Sequence, residues 1–410
     1  MLKPKLKHLL HPLRTLRVAM RLVAARWEMH SIARKGDHSF AGDPRYHLQN
    51  VSDGFAQRFQ PPSDDTALLE RICAAYVAAS AREGSISGTY QATAWWDEVR
   101  KRSLGPVIQA LRTRDITTVR TMYENLFREP CAAGLVSVPY GMTPIYFGDA
   151  MKDIHRRVYL SDALCRLDRW KAETGNCFTV RDLAVPPIGN PYGVMIDGTL
   201  VGARAEFQHY CAYRLASLLR TSETGSVAEI GGGFGGMAYY LLRDRPGVRY
   251  LNFDLPESIA LASYYLMKLF PDRNFLLCGE APLTDETIAR SDVVLMPLTE
   301  MQRITAGAAD IAFSSHAMSD VAPAAAISYL ETIARMTRDY FLFLGTDTPD
   351  KSLPAIISRA APSFHLEERR DSLWHNHKLR KANEVECLYS IDHAGKTEPA
   401  IHEEPAHVGR

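Results

Sequence analysis

The chain has no run of about 18 uncharged apolar residues, so nothing in it reads as a membrane-spanning helix. It also has no C-x-x-C pair. Its seven cysteines (Cys73, Cys131, Cys165, Cys177, Cys211, Cys278 and Cys387) are odd in number and scattered. That excludes a disulfide scaffold and a zinc ribbon and predicts reduced thiols in a cytoplasmic protein. The first 30 residues lack the unbroken apolar stretch and small-residue cleavage site of a secretory signal. Glycine and proline, 26 and 23 of 410 residues, are too few and too irregular for a fibrous or wholly disordered chain. A 46% hydrophobic and 23% charged composition is that of an ordinary globular protein. At about 150 residues per domain, the length allows two or three domains.

Acidic residues are nearly missing from the first 35 positions. Glu28 stands alone against Lys3, Lys5, Lys7, Arg14, Arg17, Arg21, Arg26, Arg34 and Lys35, a net +8, while the remainder carries −7. A mildly acidic body gives no general nucleic-acid surface. Within the basic segment Leu13, Leu16, Met20, Val23 and Trp27 recur at helical spacing, with Arg14, Arg17 and Arg21 beside them. Two readings stay open for this amphipathic helix over 1–35. It rests through residues 1–30 on the anionic inner face of a membrane, or it packs on its own domain or a partner subunit.

Residues 36–62, rich in Gly, Pro and polar side chains, read as a linker. Residues 63–204 read as a helical domain with extended loops. Its helices are expected over 66–82 and near 92–102, 115–128 and 150–172, and a hairpin turns at Asp197-Gly198. A helix over about 205–220 leads into a region, ending near 393, where short apolar strands alternate with helices. The strands are Val227–Ile230, Arg249–Phe253, Asn274–Leu277, Val293–Met296, Asp310–Phe313 and Tyr340–Leu344. A closing antiparallel pair follows at Phe364–Arg369 and Glu386–Ile391. Such alternation predicts an α/β fold with a parallel sheet covered on both faces. Residues 394–410 read as a flexible tail.

The sharpest local signal is Glu229-Ile-Gly231-Gly-Gly233-Phe-Gly235-Gly236, directly after a strand and opening a helix. Gly231, Gly233 and Gly236 satisfy the dinucleotide pattern. Gly231, Gly233 and Gly235, two residues after an acid, satisfy the pattern of S-adenosylmethionine sites. Glu229 separates the two ligands. An anion there repels a pyrophosphate and suits an ammonium group. Asp254 ends the next strand, where a carboxylate can take ribose hydroxyls from either ligand.

With these residues in view, EIGGGFGGMAYYLL, YLNFDLPESIALASYYLMKLFP and DIAFSSHAMSDVAPAAAISYLETIARMTRDYF resemble the bacterial sugar O-methyltransferases. So do the shorter upstream pieces YENLFREPCAAGL and GNPYGVMIDGTLV. The resemblance spans about residues 90–392. It implies a class I methyltransferase sheet, Rossmann-like, with a mainly helical N-terminal domain covering the site. It also implies S-adenosylmethionine as cofactor, with Glu229, Gly231, Gly233, Gly235 and Asp254 binding it, and a sugar, nucleotide-sugar or glycan acceptor.

The chemistry is read from the residues. Transfer to a hydroxyl needs a base near the methyl, and active sites in open α/β sheets lie beyond the carboxyl ends of the strands. His316, just past Ile311–Phe313, is the candidate base, with Asp320 placed to orient it. Asp320 and Asp347 are alternative partners for a divalent ion, although no metal site is assigned. Asn190-Pro191-Tyr192-Gly193 is a candidate substrate-side loop. His209 reads as packing, and His375-Asn376-His377 as a loop. The competing readings are an NAD(P)-dependent oxidoreductase using the same glycines and a non-catalytic scaffold recruited to a membrane.

Overall fold

The computed structural model describes residues 12–61, 64–83, 90, 92–135, 143–148, 151–219, 224–374 and 383–393. His375-Asn376-His377 and the expected tail lie outside the described residues. The N-terminal part comprises α1 (Pro12–Ser39), α2 (Gln49–Gly54), α3 (Thr66–Glu83), α4 (Ala94–Val99), α5 (Gly105–Thr113), α6 (Ile116–Tyr123), α7 (Thr143–Tyr146) and α8 (Asp153–Glu173). A hairpin of β1 (Gly193–Ile196) and β2 (Thr199–Gly202) follows, pairing Ile196 with Thr199 around Asp197-Gly198. Both turn residues have positive φ, 49° and 75°, as a two-residue hairpin of this kind requires. The buried side of α3 is Leu69, Ile72, Tyr76 and Ala79 with Cys73 and Ala75, close to the side its periodicity predicts.

Residues 36–62 do not form the expected linker. Helix α1 runs on to Ser39, and α2 packs so closely on β1 that a Cβ at Gly54 would overlap the Gly193 carbonyl. A few apolar residues account for this. Phe40, Val51 and Phe55 are buried, and Phe55 packs on Tyr159 and Tyr192 at ring-centroid distances of 4.9 and 5.0 Å. Aromatic burial of this kind outweighs a composition rich in turn formers.

Asn190-Pro191-Tyr192-Gly193 is part of the same knot and does not line the cavity described below. Asn190 is buried at φ 54°, and its amide donates to Gln57 and Asn125. Its side-chain oxygen accepts from the Arg58 backbone. This is a satisfied polar core.

The second half is α9 (Ala205–Leu218), β3 (Ser226–Ile230), α10 (Gly236–Asp244), β4 (Arg249–Asp254), α11 (Pro256–Leu269), β5 (Phe275–Leu277), α12 (Asp285–Ala289) and β6 (Val293–Pro297). It continues through β7 (Ala309–Ser315), α13 (Pro323–Met336), β8 (Thr337–Thr348), β9 (Lys351–Ser352), α14 (Leu353–Ala360), β10 (Phe364–Asp371) and β11 (Glu384–Ile391). The main sheet runs β5-β6-β4-β3-β7-β8-β11-β10. The first six strands are parallel, and β11 runs antiparallel between β8 and β10, so β10 points the same way as the first six. Of the two strands that compete for the place beside β4, Val293–Pro297 takes it, and Phe275–Leu277 stands outside at the edge.

This is an α/β, Rossmann-like sheet of the class I arrangement. Its inner strands β3 and β6 are buried along their whole length, which is why they read as short, mainly apolar segments. Helices α9, α10 and α11 share one core with the N-terminal helices. Helices α13 and α14 cover the other face.

Glu257, on the first turn of α11, ties the two halves together. It accepts from the Trp96 indole, and Arg100 grips both its carboxylate oxygens at 2.7 and 2.9 Å while also reaching Glu83. Both partners come from the helical part, so the buried carboxylate is held by donors rather than left as a bare charge. Glu257→Gln removes the charge and keeps the shape. It is expected to lower stability by about 1.5–3 kcal/mol in urea unfolding, the range for hydrogen bonds to a charged group. An unchanged midpoint would show that the docking does not depend on this pair.

Candidate active site

The carboxyl ends of β3, β4 and β7 open into a cavity of about 330 Å3. Its floor is the Glu229–Gly233 turn with Asp254 and Leu255. Ser315, His316 and Met318 form one flank. Trp95, Trp96 and Leu135 from the helical part close it from above, and Arg204, Phe207 and Gln208 reach in from the start of α9.

Two glycines have different reasons to be glycine. Gly231 has φ 81°, and a Cβ on it would overlap Ala317, so its absence lets the glycine turn seat against the His316 segment. Gly233 has φ 59°, and the nearest atom to an added Cβ is on Leu135 at 3.4 Å. Its missing side chain leaves space in the cavity. Gly235 does not line the cavity. It caps α10 at φ 89° against Leu266.

Asp254 fixes this turn. One carboxylate oxygen accepts the Gly233 N–H at 2.8 Å and the other accepts the Leu255 N–H at 2.7 Å. A carboxylate has about four acceptor positions, so both oxygens retain capacity for hydroxyls. Glu229, 3% exposed, accepts the hydroxyl of Tyr250. Burial pushes Glu229 up to about 8, against the pull of Tyr250, and Asp254 up to about 7 against its backbone donors. Two desolvated acids on one cavity wall form a receptor for cations and hydroxyl donors.

The residues present fit S-adenosylmethionine better than a dinucleotide. The space at Gly233 and the acid pair suit an ammonium and a ribose. The Gln208 carboxamide lies where a Cβ on Gly236 would be, covering the N-terminus of α10, where a pyrophosphate would have to lie.

His316 stands at φ 65°, and its N–H donates to the Leu344 carbonyl. Its Nε2 lies 3.1 Å from Glu384 Oε1, its Nδ1 lies 3.0 Å from the Ser315 hydroxyl, and its ring meets Phe207 edge-on. Glu384 is on β11, 68 residues further along. Sequence reading missed it, because no local pattern joins two residues that only the closing hairpin brings together. With Glu384 ionised, the imidazole proton is held on Nε2, which leaves Nδ1 basic beside the Ser315 hydroxyl.

Asp320, the expected orienting group, belongs to the 3-10 turn Ala317–Asp320 that follows His316. Asp347 is drawn onto Arg369 at 2.5 Å and is not in the cavity wall. His209 is buried away from the cavity and accepts from the Trp170 indole, and burial holds it near 4, so it is neutral packing. Among the described residues no group of three His, Cys, Asp or Glu is placed to hold a metal.

No protein-family model matches the chain, and no curated protein matches it. Several solved structures overlap part of it. The pyocyanin biosynthetic protein PhzM aligns at 16% identity with a TM-score of 0.33, over 46% of this chain and 56% of its own. A SAM-dependent methyltransferase from Aquifex aeolicus aligns at 13% and 0.31, over 44% and 88%. The magnesium protoporphyrin IX methyltransferase ChlM from Synechocystis PCC 6803, solved with bound SAM, aligns at 9% and 0.33, over 46% and 79%. The chain thus spans little more than half the length of PhzM. Overlaps this slight carry no weight for function, which rests on the residues of the cavity.

Proposed function

We propose that the protein is an S-adenosylmethionine-dependent methyltransferase acting on a hydroxyl group, with a sugar, free or within a nucleotide sugar or glycan, as the acceptor. The observation that carries this reading is the sharing of one cavity by the Glu229–Gly233 turn, Asp254 and His316, whose ring Glu384 holds. Bound S-adenosylmethionine supplies a sulfonium methyl, transferred in line. Glu229 would face the ammonium and Asp254 the ribose. His316 Nδ1 takes the proton of the acceptor hydroxyl, directly or through Ser315, and Glu384 stabilises the imidazolium that results. Trp96 and Leu135 would cover the reacting groups from above. The aromatic lining suits the C–H face of a sugar ring, and the resemblance of the EIGGGFGG and DLPE blocks supports that acceptor class. Calorimetry with S-adenosylhomocysteine and with NAD tests the reading. Binding of the first alone supports it. Binding of NAD alone would make the protein an oxidoreductase, and binding of neither would leave the scaffold reading.

The raised acids add a pH dependence. Between about 4.5 and 8 the folded protein holds a proton on Glu229 that the unfolded chain has released. Stability contributed by this group therefore falls as pH rises through that window. An ammonium placed against Glu229 favours its ionised form and expels the proton. At pH 7 the enthalpy of S-adenosylhomocysteine binding is expected to vary with the buffer's ionisation enthalpy in the sense of proton release. Glu229→Gln should remove most of that dependence. Buffer-independent enthalpy in the wild type would contradict the placement.

Membrane contact belongs to the same proposal. No described helix is long and apolar enough to cross a membrane. On α1, however, Met20, Val23 and Trp27 stay 64–69% exposed, while the far end of the helix packs on α8 through Ala33 and Gly36. In sequence, the first 35 residues also carry the basic surplus. Binding to vesicles containing phosphatidylglycerol is expected at low salt and should be lost at about 0.5 M salt. Deletion of residues 1–30 should also abolish it. Full-length protein that ignores such vesicles at low salt would make the stripe a protein contact.

A further inference from the structure

Among the cavity residues, Arg204 stands apart. It is half-buried, at φ 65° in the left-handed region just before α9, and its guanidinium sits 5.2 Å from the centroid of the Phe207 ring. Among the described residues no carboxylate lies within ion-pairing distance of it. The other arginines of this interior are answered. Arg166 has Asp162 and Glu206, Arg100 has Glu257 and Glu83, and Arg214 and Arg370 share Glu386. Arg128 is spent on backbone carbonyls. Around Arg204 the charges are Arg166, which opposes it, and Glu384 and Glu206, which attract it from beyond contact. Burial, more than any neighbour, pulls its pKa below the usual arginine range.

A half-buried guanidinium that faces the cavity with no carboxylate beside it gives up part of its hydration without gaining an ion pair. Holding it at a left-handed backbone position adds about 1 kcal/mol or more. Both costs are accounted for by a ligand anion that completes the site. Position indicates which ligand. The glycine-turn wall presents Glu229 and Asp254, two carboxyl groups that offer an anion no positive charge. Arg204 instead shares the Phe207 ring with His316, whose own ring lies 5.8 Å from it. The cation is therefore on the flank of the candidate base, where an acceptor hydroxyl has to come.

We propose that Arg204 is the receptor for an anionic group on the acceptor, so that the molecule methylated carries a carboxylate or phosphate close to the reacting hydroxyl: a uronic acid, a sugar phosphate or a nucleotide sugar. The planar guanidinium matches either group through two parallel hydrogen bonds, and lysine cannot reproduce that fork. The proposal rests on the methyltransferase reading and names its substrate class.

The test titrates glucose, glucuronate, glucose 1-phosphate and UDP-glucose into the full chain, with and without saturating S-adenosylhomocysteine. Wild type is compared with Arg204→Gln and Arg204→Lys. The charged ligands are expected to bind at least tenfold more tightly than glucose. Arg204→Gln should erase that preference and Arg204→Lys keep part of it, with S-adenosylhomocysteine affinity within threefold of wild type in both. Charged ligands that bind no better than glucose overturn the proposal, as does a preference that survives in Arg204→Gln. A tenfold loss of S-adenosylhomocysteine affinity with the preference intact also overturns it, since the guanidinium then serves the cofactor's own carboxylate. If wild type does not bind S-adenosylhomocysteine, the methyltransferase reading fails by itself, and the arm without it still decides whether Arg204 selects anions.

Discussion

Gly233→Leu is expected to weaken S-adenosylhomocysteine binding at least 100-fold, about 2.7 kcal/mol, while the protein stays folded. The two halves of that expectation come from the same site. An added Cβ at Gly233 meets only Leu135 at 3.4 Å, so the leucine side chain projects into the cavity without striking the backbone. The φ of 59° costs a residue without β-branching about 1 kcal/mol, which a chain of this size tolerates. The ligand has no such tolerance, because the volume taken is its own. Gly231→Leu is the contrasting control. There the side chain overlaps Ala317, so loss of the fold should accompany loss of binding. Asp254→Asn keeps one acceptor for the turn and removes the charge, and it should cost about tenfold. Calorimetry that finds wild-type affinity in both Gly233→Leu and Asp254→Asn would exclude the cavity as the cofactor site.

His316→Ala is expected to lower kcat by about 100-fold or more and leave S-adenosylhomocysteine affinity nearly unchanged. The acidic limb of the pH–rate profile should go with it, because that limb reports protonation of the base. Glu384→Gln separates a positioning role from mere packing. The amide fills the same space but cannot stabilise the imidazolium, so kcat should fall with little change in KM, and the limb should shift rather than vanish. If His316 only packs on the ligand, His316→Ala would weaken binding and spare kcat at saturation. A near-wild-type kcat with an unchanged pH profile rules out the base.

Much of this geometry was legible in the chain. The strands β3, β4, β6 and β7 are buried on both faces, so the sequence announces them as short, mainly apolar segments between helices and a parallel sheet follows. Glycines at 231 and 233 after a strand ending in Glu229 place a ligand turn at its carboxyl end, since few other local roles require that pattern. The errors share one cause. Residues 36–62 have the composition of a linker, yet Phe40, Val51 and Phe55 are buried, and Phe55 finds aromatic partners more than 90 residues away that turn the segment into core. Asn190 and Tyr192 have the chemistry of a sugar-binding loop, yet both are buried. Composition reports what a residue can do, and burial decides whether it has the opportunity.

The sequence alone determined the α/β alternation, the glycine turn with its two acids, and the position of His316 at a strand end. Each depends on contacts within a strand–turn–helix unit, and local physics encodes these. Only the tertiary structure decided what surrounds them. The closing hairpin carries Glu384 to His316 across 68 residues, and Glu257 draws Trp96 over the cavity from 161 residues upstream. The start of α9 brings Arg204 to the same ring as the base. Such pairings have no signature along the chain, because each partner is an ordinary residue in its own neighbourhood. It gains its role when burial of the two shared cores brings distant segments together and removes water from between them.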